Sequence, residues 1–177
     1  MSKSVFGIAT TFSQAERIVE ELQAQGFAAS EISVLMPDTG GTHDFGHIKA
    51  TKAPEGATTG ATAGGTTGGV IGLLAGIGAL AIPGVGPFIA AGPIMAALSG
   101  AAVGAATGGV VGGLIGLGIP EIEAKRYEEK LKKGNYLIAV HTDESKDVDR
   151  AKQIFKAARA EDVTTVSEAS APKSLNK

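Results

Sequence analysis

The feature that most constrains this chain is a central segment without any charged residue. Between Glu55 and Glu121 lie 65 consecutive residues that include no Asp, Glu, Lys, Arg or His. Inside a helix, each glycine costs about 1 kcal/mol relative to alanine. Ten glycines recur here at a spacing of four, and together they would cost on the order of 10 kcal/mol, comparable with the net stability of a domain. The two series are Gly60, Gly64, Gly68, Gly72 and Gly76, and then Gly100, Gly104, Gly108, Gly112 and Gly116.

Close packing between helices would offset this cost. Glycine at every fourth position leaves a groove along one helix face, so that a second helix can approach until the two backbones touch. Proline and glycine concentrate between the two series, in the stretch IPGVGP. We therefore predict a glycine-zipper helical hairpin over residues 58–119 that forms a helix-packing or oligomer interface. Its arms are expected at about 58–81 and 93–118, and its turn at about 82–92, with Pro83, Gly84, Gly86 and Pro87.

Three environments could hold such a hairpin. At 1.5 Å per residue each arm would be about 33 to 39 Å long, which matches a hydrocarbon core of about 30 Å. The missing charge, with Lys49, Lys52, Lys125 and Arg126 nearby, favours insertion into a membrane with both termini in the cytoplasm. Residues 57–69 contain no large apolar side chain, which argues against it. A soluble homo-oligomer built on the hairpins and a hairpin that inserts conditionally at the membrane interface stay open as alternatives.

The flanks on either side of this segment predict alternating strands and helices. In the N-terminal flank, residues 5–10 and 31–36 are typical of strands. Between them a helix is expected to begin at Ser13, with Glu16 completing a capping box, and to end at Gly26. In the C-terminal flank we predict a helix from Pro120 to Gly134, a strand over 136–141, a helix from Ser145 or Asp147, and a strand over 162–166.

This order predicts an α+β fold. Strand, helix, strand occurs once before the uncharged segment and once after it, and two such units form a ferredoxin-like split βαβ sandwich. The long Gly/Ala-rich helical hairpin would then interrupt that sandwich. The expected division is a first half at 1–37, a linker at 38–57, the hairpin at 58–119, a second half at 120–168, and a disordered tail at 169–177.

Few residues suggest a catalytic, metal-binding or phosphate-binding site. His43, Asp44 and His47 lie in a turn-rich stretch and are expected to be solvated, so we predict no metal site. His141 ends a predicted strand and is expected to be packed or at a sheet edge. The glycine-rich stretches lack the lysine of a phosphate-binding loop. Tyr127 and the run 121–133 are typical of a solvated helix with i,i+4 ion pairs.

Composition narrows the function further. The chain carries 16 basic and 18 acidic residues, a balance that argues against nucleic-acid binding. It has no cysteine, which fits a reducing compartment, and its first residues do not form a signal peptide. We therefore expect a cytoplasmic N-terminus. With no nucleophile–base pair in the sequence, we expect a protein that is not an enzyme and has no cofactor and no identified small-molecule substrate.

Three stretches resemble a known family. TKAPEGATTGA (51–61), ALAIPGVGPFIAAGPIMAAL (79–98) and GLGIPEIEAKRYEEKLKKGNYLIAVH (116–141) are similar to bacterial general stress proteins, the heat-induced type labelled YflT. The resemblance covers nearly the whole chain. It implies an association with stress, but it supplies no activity and no site residues.

These observations predict a non-enzymatic, stress-associated protein. Its hairpin would bind a lipid membrane and drive self-association into a homo-oligomer, with the α/β domain on the cytoplasmic side of the inner membrane. The alternative is a soluble cytoplasmic homo-oligomer, filament or shell whose hairpins form the subunit interface. A small-ligand sensor is a third class, for which the sequence offers no specific pocket.

Overall fold

The computed structural model describes residues 2–37, 78–82, 86–95, 98 and 109–167. In chain order the elements are β1 (Lys3–Ala9), α1 (Phe12–Ala24), a 3-10 turn (Ala29–Glu31), β2 (Ile32–Pro37), β3 (Gly78–Ile82), β4 (Gly86–Ala91), α2 (Gly109–Gly116), α3 (Glu121–Lys132), β5 (Tyr136–Thr142), α4 (Ser145–Ala157) and β6 (Glu161–Ser167). Residues 93–95 and 98 are also helical.

The strands form one antiparallel sheet in the order β3-β4-β2-β5-β1-β6. The expectation of mixed helices and strands with an antiparallel sheet is therefore confirmed. β1 lies between two strands from the C-terminal flank, pairing Phe6 with Ala139 of β5 and with Thr164 of β6. Strands from the two flanks of the chain are thus neighbours in the sheet, and the uncharged segment connects one flank to the other.

Alternating side chains divide the core into two layers. On one face, Val5 and Ala9 of β1 join the buried stripes of α1 and α4. On the other face, Phe6 and Ile8 pack with residues of α2 and α3. Side chains at successive strand positions point to opposite faces, and because both faces are covered, consecutive residues of β1 are apolar. Gly7 leaves room for α4, since a Cβ there would lie 2.7 Å from Phe155 Cδ1.

The predicted helical hairpin needs correction where the structure describes it. The end of the expected first arm is strand β3, and the expected turn at 82–92 contains strand β4. β4 pairs with β2, for example Val34 with Ala91 and Met36 with Ile89, and so satisfies backbone groups of β2 that would otherwise be unpaired. Gly86 and Pro87 are the first residues of β4, whereas Pro83 and Gly84 lie outside the described residues.

The described parts of the second arm are helical, but they pack on the sheet. Val110 and Leu114 of α2 are fully buried in the layer that contains Phe6 and Phe88. α2 ends at Gly116, and Gly118 with φ of +91° turns the chain toward α3. Residues 58–77, the remaining positions of both arms, the linker 38–57 and the tail 169–177 lie outside the described residues.

The start of α1 is a second correction. The helix begins at Phe12, and its N-cap is Thr11, whose hydroxyl accepts a hydrogen bond of 3.2 Å from the backbone N–H of Gln14. Ser13 therefore lies inside the first turn and is not the cap. Thr and Ser are both good N-caps. The TTFS sequence therefore contains several adjacent residues that could cap the helix, and residue type alone does not distinguish between them.

Candidate functional site

Of the ten glycines predicted to form an interface, the structure describes two. Gly112 and Gly116 lie on α2. The other eight, Gly60, Gly64, Gly68, Gly72, Gly76, Gly100, Gly104 and Gly108, lie outside the described residues, as do His43, Asp44 and His47. Within the described ranges no group of three or more His, Cys, Asp or Glu side chains could hold a metal ion.

Close packing on α2 involves a glycine outside the predicted series. A Cβ at Gly113 would lie 2.5 Å from Cδ1 of the buried Leu98, so a larger residue here would have to displace the Leu98 side chain. A Cβ at Gly116 would meet no described atom within 4 Å. The role of Gly116 at an interface therefore stays a prediction, and any partner for it would come from beyond the described residues.

α2 has no polar side chain on any face. Its sequence, GVVGGLIG, buries Val110, Gly113 and Leu114 against the sheet. Ile115 is nevertheless 43% exposed, and Ile122 at the start of α3 is 72% exposed. We call Ile115, Gly116 and Ile122 the α2–α3 apolar surface. Among the described residues these two isoleucines are the exposed large hydrophobic side chains, and both lie where the uncharged segment ends.

Charged side chains border this surface. Lys125 Nζ lies 2.6 Å from Glu121 Oε1, and Lys132 pairs with Glu128, both at the i,i+4 spacing expected of this run. Hydrogen bonding to Lys125 lowers the pKa of Glu121, and the same bond raises the pKa of Lys125. Both groups are well exposed, so the pairs contribute little to stability. They do place one charge of each sign beside Ile122.

A polar cluster attaches α3 to β6. The Tyr127 hydroxyl donates a 2.6 Å hydrogen bond to the backbone carbonyl of Asp162. Arg126 Nη1 lies 3.1 Å from Asp162 Oδ1, and Lys130 Nζ lies 3.1 Å from Asp162 Oδ2 and also pairs with Glu161. Asp162 has φ of +50°, where β6 shifts register against β1. This α3–β6 cluster holds a bulged strand end against the helix.

The prediction that Tyr127 is solvated is wrong. Its side chain is fully buried, because i,i+4 spacing places it on the same helix face as Leu131, which also packs into the core. Burial is the main cause that raises the Tyr127 pKa to about 12. The phenol therefore keeps its proton at neutral pH and donates it to a carbonyl, so it holds structure in place and is not a base.

A shallow pocket of about 340 Å³ lies between α1 and α4, with Arg17 and Arg150 in its lining. Arg150 is already bound, because its Nη1 donates to the Gln25 carbonyl at 3.0 Å and its Nη2 lies 3.3 Å from Asp147 Oδ1. The guanidinium of Arg150 thus ties α4 to the end of α1.

No sequence pattern indicates the α3–β6 cluster. A positive φ at Asp162 is not encoded by any motif, and the bulge depends on how β6 meets β1. The burial of Tyr127 could have been found, since Ala124, Tyr127 and Leu131 recur at helical spacing. His141 lies in β5 opposite Ser4, which agrees with the expected edge or packed position.

Comparisons with protein-family models, with curated proteins and with solved structures found no match to this chain. Across the part of the chain that the structure describes, no helix has both the length and the apolar character needed to cross a membrane.

Proposed function

We propose that this chain is a non-enzymatic protein of the bacterial general stress type. A small α/β body would carry the uncharged, glycine-rich segment, which associates with membrane lipid and with further copies of the chain. The body lies on the cytoplasmic side of the inner membrane in this proposal, with both termini in the cytoplasm. The family assignment rests on the sequence resemblance alone.

We propose further that the body is a ferredoxin-like sandwich with β3 and β4 added at one edge. The strand order β2-β5-β1-β6 supports this, because two split βαβ units interleave to give that order. The first unit is β1-α1-β2 and the second is β5-α4-β6. The additional layer formed by α2 and α3 then covers the sheet face opposite α1 and α4.

One observation supports the association most strongly, namely that α2 is apolar all round, yet Ile115 and Gly116 on this helix are exposed in the described structure. A helix of this kind is expected to be covered on every side. Val110 and Leu114 face the sheet, but Ile115 is 43% exposed, and Ile122 at the start of α3 is 72% exposed. Lipid or another copy of the chain would cover these side chains.

Flotation on a density gradient tests the membrane part of the proposal. The native, untagged chain is mixed with vesicles of bacterial lipid, floated, and then washed with alkaline carbonate. We expect the protein to float. Retention after the wash would indicate an integral segment, and release would indicate binding at the interface.

A variant pair tests whether the α2–α3 apolar surface contributes to binding. Ile122→Glu places a charge at an exposed position and should not affect folding, so it is expected to lower the floated fraction of an interface-bound protein several-fold. Glu129→Gln, an exposed change on the same helix, is the control and should float like the wild type. Equal flotation of both variants would exclude this surface from lipid binding.

The alternative is a soluble homo-oligomer. If the wild type does not float, its hydrodynamic size decides between the two functions. A defined particle larger than a monomer would support assembly without lipid. A monomer that does not float would contradict both the membrane and the self-association proposals.

A further inference from the structure

The two edges of the sheet differ in how they oppose pairing with another strand. At the β6 edge, the register shifts near Asp162, whose φ is +50°, and Glu161 carries a charge that pairs with Lys130. Bulges and charged side chains are devices by which native proteins prevent an edge strand from accepting another chain. The β6 edge is therefore protected.

The β3 edge has none of these devices. β3 reads GALAI, with no charge and no proline, and it pairs with β4 in one unbroken register from Gly78↔Ala90 to Ile82↔Gly86. β4 also carries no charge. An uncharged, regular edge strand is a template for strand addition. Two copies would bring no like charges together at this edge.

The positions of two prolines indicate which backbone groups of β3 point outward. Proline has no N–H, so it fits best where the strand ladder requires no donor. Pro87 is opposite Ala81, and Pro37 is opposite Phe88. Suppose that Phe88 directs its backbone N–H and C=O to β3, where Leu80 is its hydrogen-bonded partner. Neither proline then occupies a position at which the described ladder needs an N–H donor.

Hydrogen-bonded and non-hydrogen-bonded pairs alternate along an antiparallel ladder. If Leu80 bonds to Phe88, its neighbours Ala79 and Ala81 direct their N–H and C=O groups away from β4. β3 therefore presents two donors and two acceptors at the edge of the sheet as described. A partner strand must therefore offer two acceptors and two donors that face these groups.

We propose that a second copy of this chain supplies them, by antiparallel pairing of β3 with β3 about a two-fold axis at Leu80. In this register Ala79 bonds with Ala81 of the second copy, and Ala81 with its Ala79, for four backbone hydrogen bonds. An antiparallel strand is its own complement under two-fold symmetry. The result is a continuous sheet of twelve strands. This inference rests on the self-association part of the proposed function and names its interface.

Disulfide trapping tests the pairing directly. Leu80 would form a non-hydrogen-bonded pair with its own copy, where the Cα atoms are about 4.5 Å apart, within the range that a disulfide spans. The chain has no cysteine, so Leu80→Cys introduces a single thiol. Under mild oxidation we expect a covalent dimer on a non-reducing gel. Ser167→Cys, an exposed position on β6, is the control and should cross-link at least tenfold more slowly.

A second variant keeps the test valid if Leu80→Cys disturbs folding. Ala81→Pro removes one outward N–H and leaves the β3–β4 hydrogen bonds in place, whereas Ala81→Ser keeps the N–H. Sedimentation and circular dichroism are measured on both. We expect Ala81→Pro to be a folded monomer and Ala81→Ser to remain a dimer.

The outcomes separate this inference from the proposed function. If Ala81→Pro still assembles and Leu80→Cys does not cross-link, the β3 interface is wrong while self-association stands. If the wild type is a monomer at every concentration, both are wrong. Hydrogen exchange is a third measurement. If the Ala79 and Ala81 amides are protected in a monomer, another segment of the same chain pairs with β3, and the proposed pairing between copies is wrong.

Discussion

Four helices end with a residue in the left-handed region, but only three of them have glycine there. Gly26, Gly118 and Gly134 have φ between +87° and +95°, and Arg159 after α4 has φ of +59°. The hydrogen bonds are equivalent at each end, for example Phe27 N to Leu22 O after α1 and Ala160 N to Phe155 O after α4. A side chain in this conformation costs roughly 1–2 kcal/mol, so Arg159 stores strain that glycine would remove.

Arg159→Gly is therefore expected to raise the free energy of unfolding by about 1 kcal/mol, measured by urea denaturation. The Arg159 carbonyl, which accepts a 2.9 Å hydrogen bond from Gln14 Nε2, is retained in the variant. Gly26→Ala is the reciprocal control. No described atom would contact its Cβ within 4 Å, so the expected loss of about 1 kcal/mol comes from the backbone conformation. A loss of stability in Arg159→Gly would show that the arginine side chain contributes more than its strain costs.

Tyr127 predicts a decline in stability at alkaline pH. Its pKa is raised to about 12 in the fold, from an ordinary value of 10.0, chiefly by burial. Below pH 10 the phenol is protonated in both the folded and unfolded states. Between pH 10 and 12 only the unfolded state ionises, so the free energy of unfolding falls by about 2 kcal/mol from this group.

Urea denaturation at pH 8.5 and at pH 11.5 measures this decline. Tyr127→Phe is expected to be less stable than the wild type at pH 8.5 by about 1 kcal/mol, because the Asp162 carbonyl loses its donor. The variant should lose less stability than the wild type on going to pH 11.5. Tyr136→Phe is the control, because it removes the only other tyrosine, whose pKa is also raised by burial, and keeps Tyr127 and every lysine. Identical pH profiles for Tyr127→Phe and the wild type would contradict the assignment.

At the scale of elements, two glycines on α2 have different surroundings, although the sequence does not distinguish them. A Cβ at Gly113 would overlap the Leu98 side chain, whereas a Cβ at Gly116 would meet no described atom within 4 Å. Gly113→Val is expected to lower the free energy of unfolding by about 2 kcal/mol through overlap with Leu98. Gly116→Val should change it by no more than about 0.5 kcal/mol.

Thermal or urea unfolding of both variants under conditions where the chain is monomeric measures the difference. Hydrodynamic size, measured on the same samples at high concentration, reports assembly separately. A large loss of stability in Gly116→Val would mean that residues beyond the described ranges already pack against it. An unchanged Gly113→Val would mean that Leu98 moves aside at little cost.

The flanking elements were predictable because their periodicity is clear. Ala15, Ile18, Val19 and Leu22 recur at helical spacing, and all are buried in α1. β3 and β4 were missed because short apolar runs are compatible with a buried strand and with a helix. The regular glycine spacing on either side favoured the helix. Pairing between distant segments decides that these residues form strands, because β4 supplies backbone hydrogen-bond partners to β2. A local sequence pattern does not indicate this requirement.

At the scale of the whole molecule, the candidate surfaces were predictable only in location. The uncharged segment drew attention to the region around α2, where Ile115 is exposed, with Ile122 exposed at the start of α3. It did not indicate that part of this segment completes the core of the body. Positions such as Asp162 depend on contacts between distant parts of the chain, which a sequence of this composition does not specify locally.

The position of β1 between β5 and β6 has a consequence for synthesis. The chain is made from its N-terminus, so β1 is complete long before Tyr136, where its first neighbour begins. During that interval the ribosome releases the whole uncharged segment beside an unfinished sheet. Exposed apolar surface and unpaired strands at this stage favour aggregation. The uncharged segment is therefore synthesised before β5 and β6 can complete the sheet around β1.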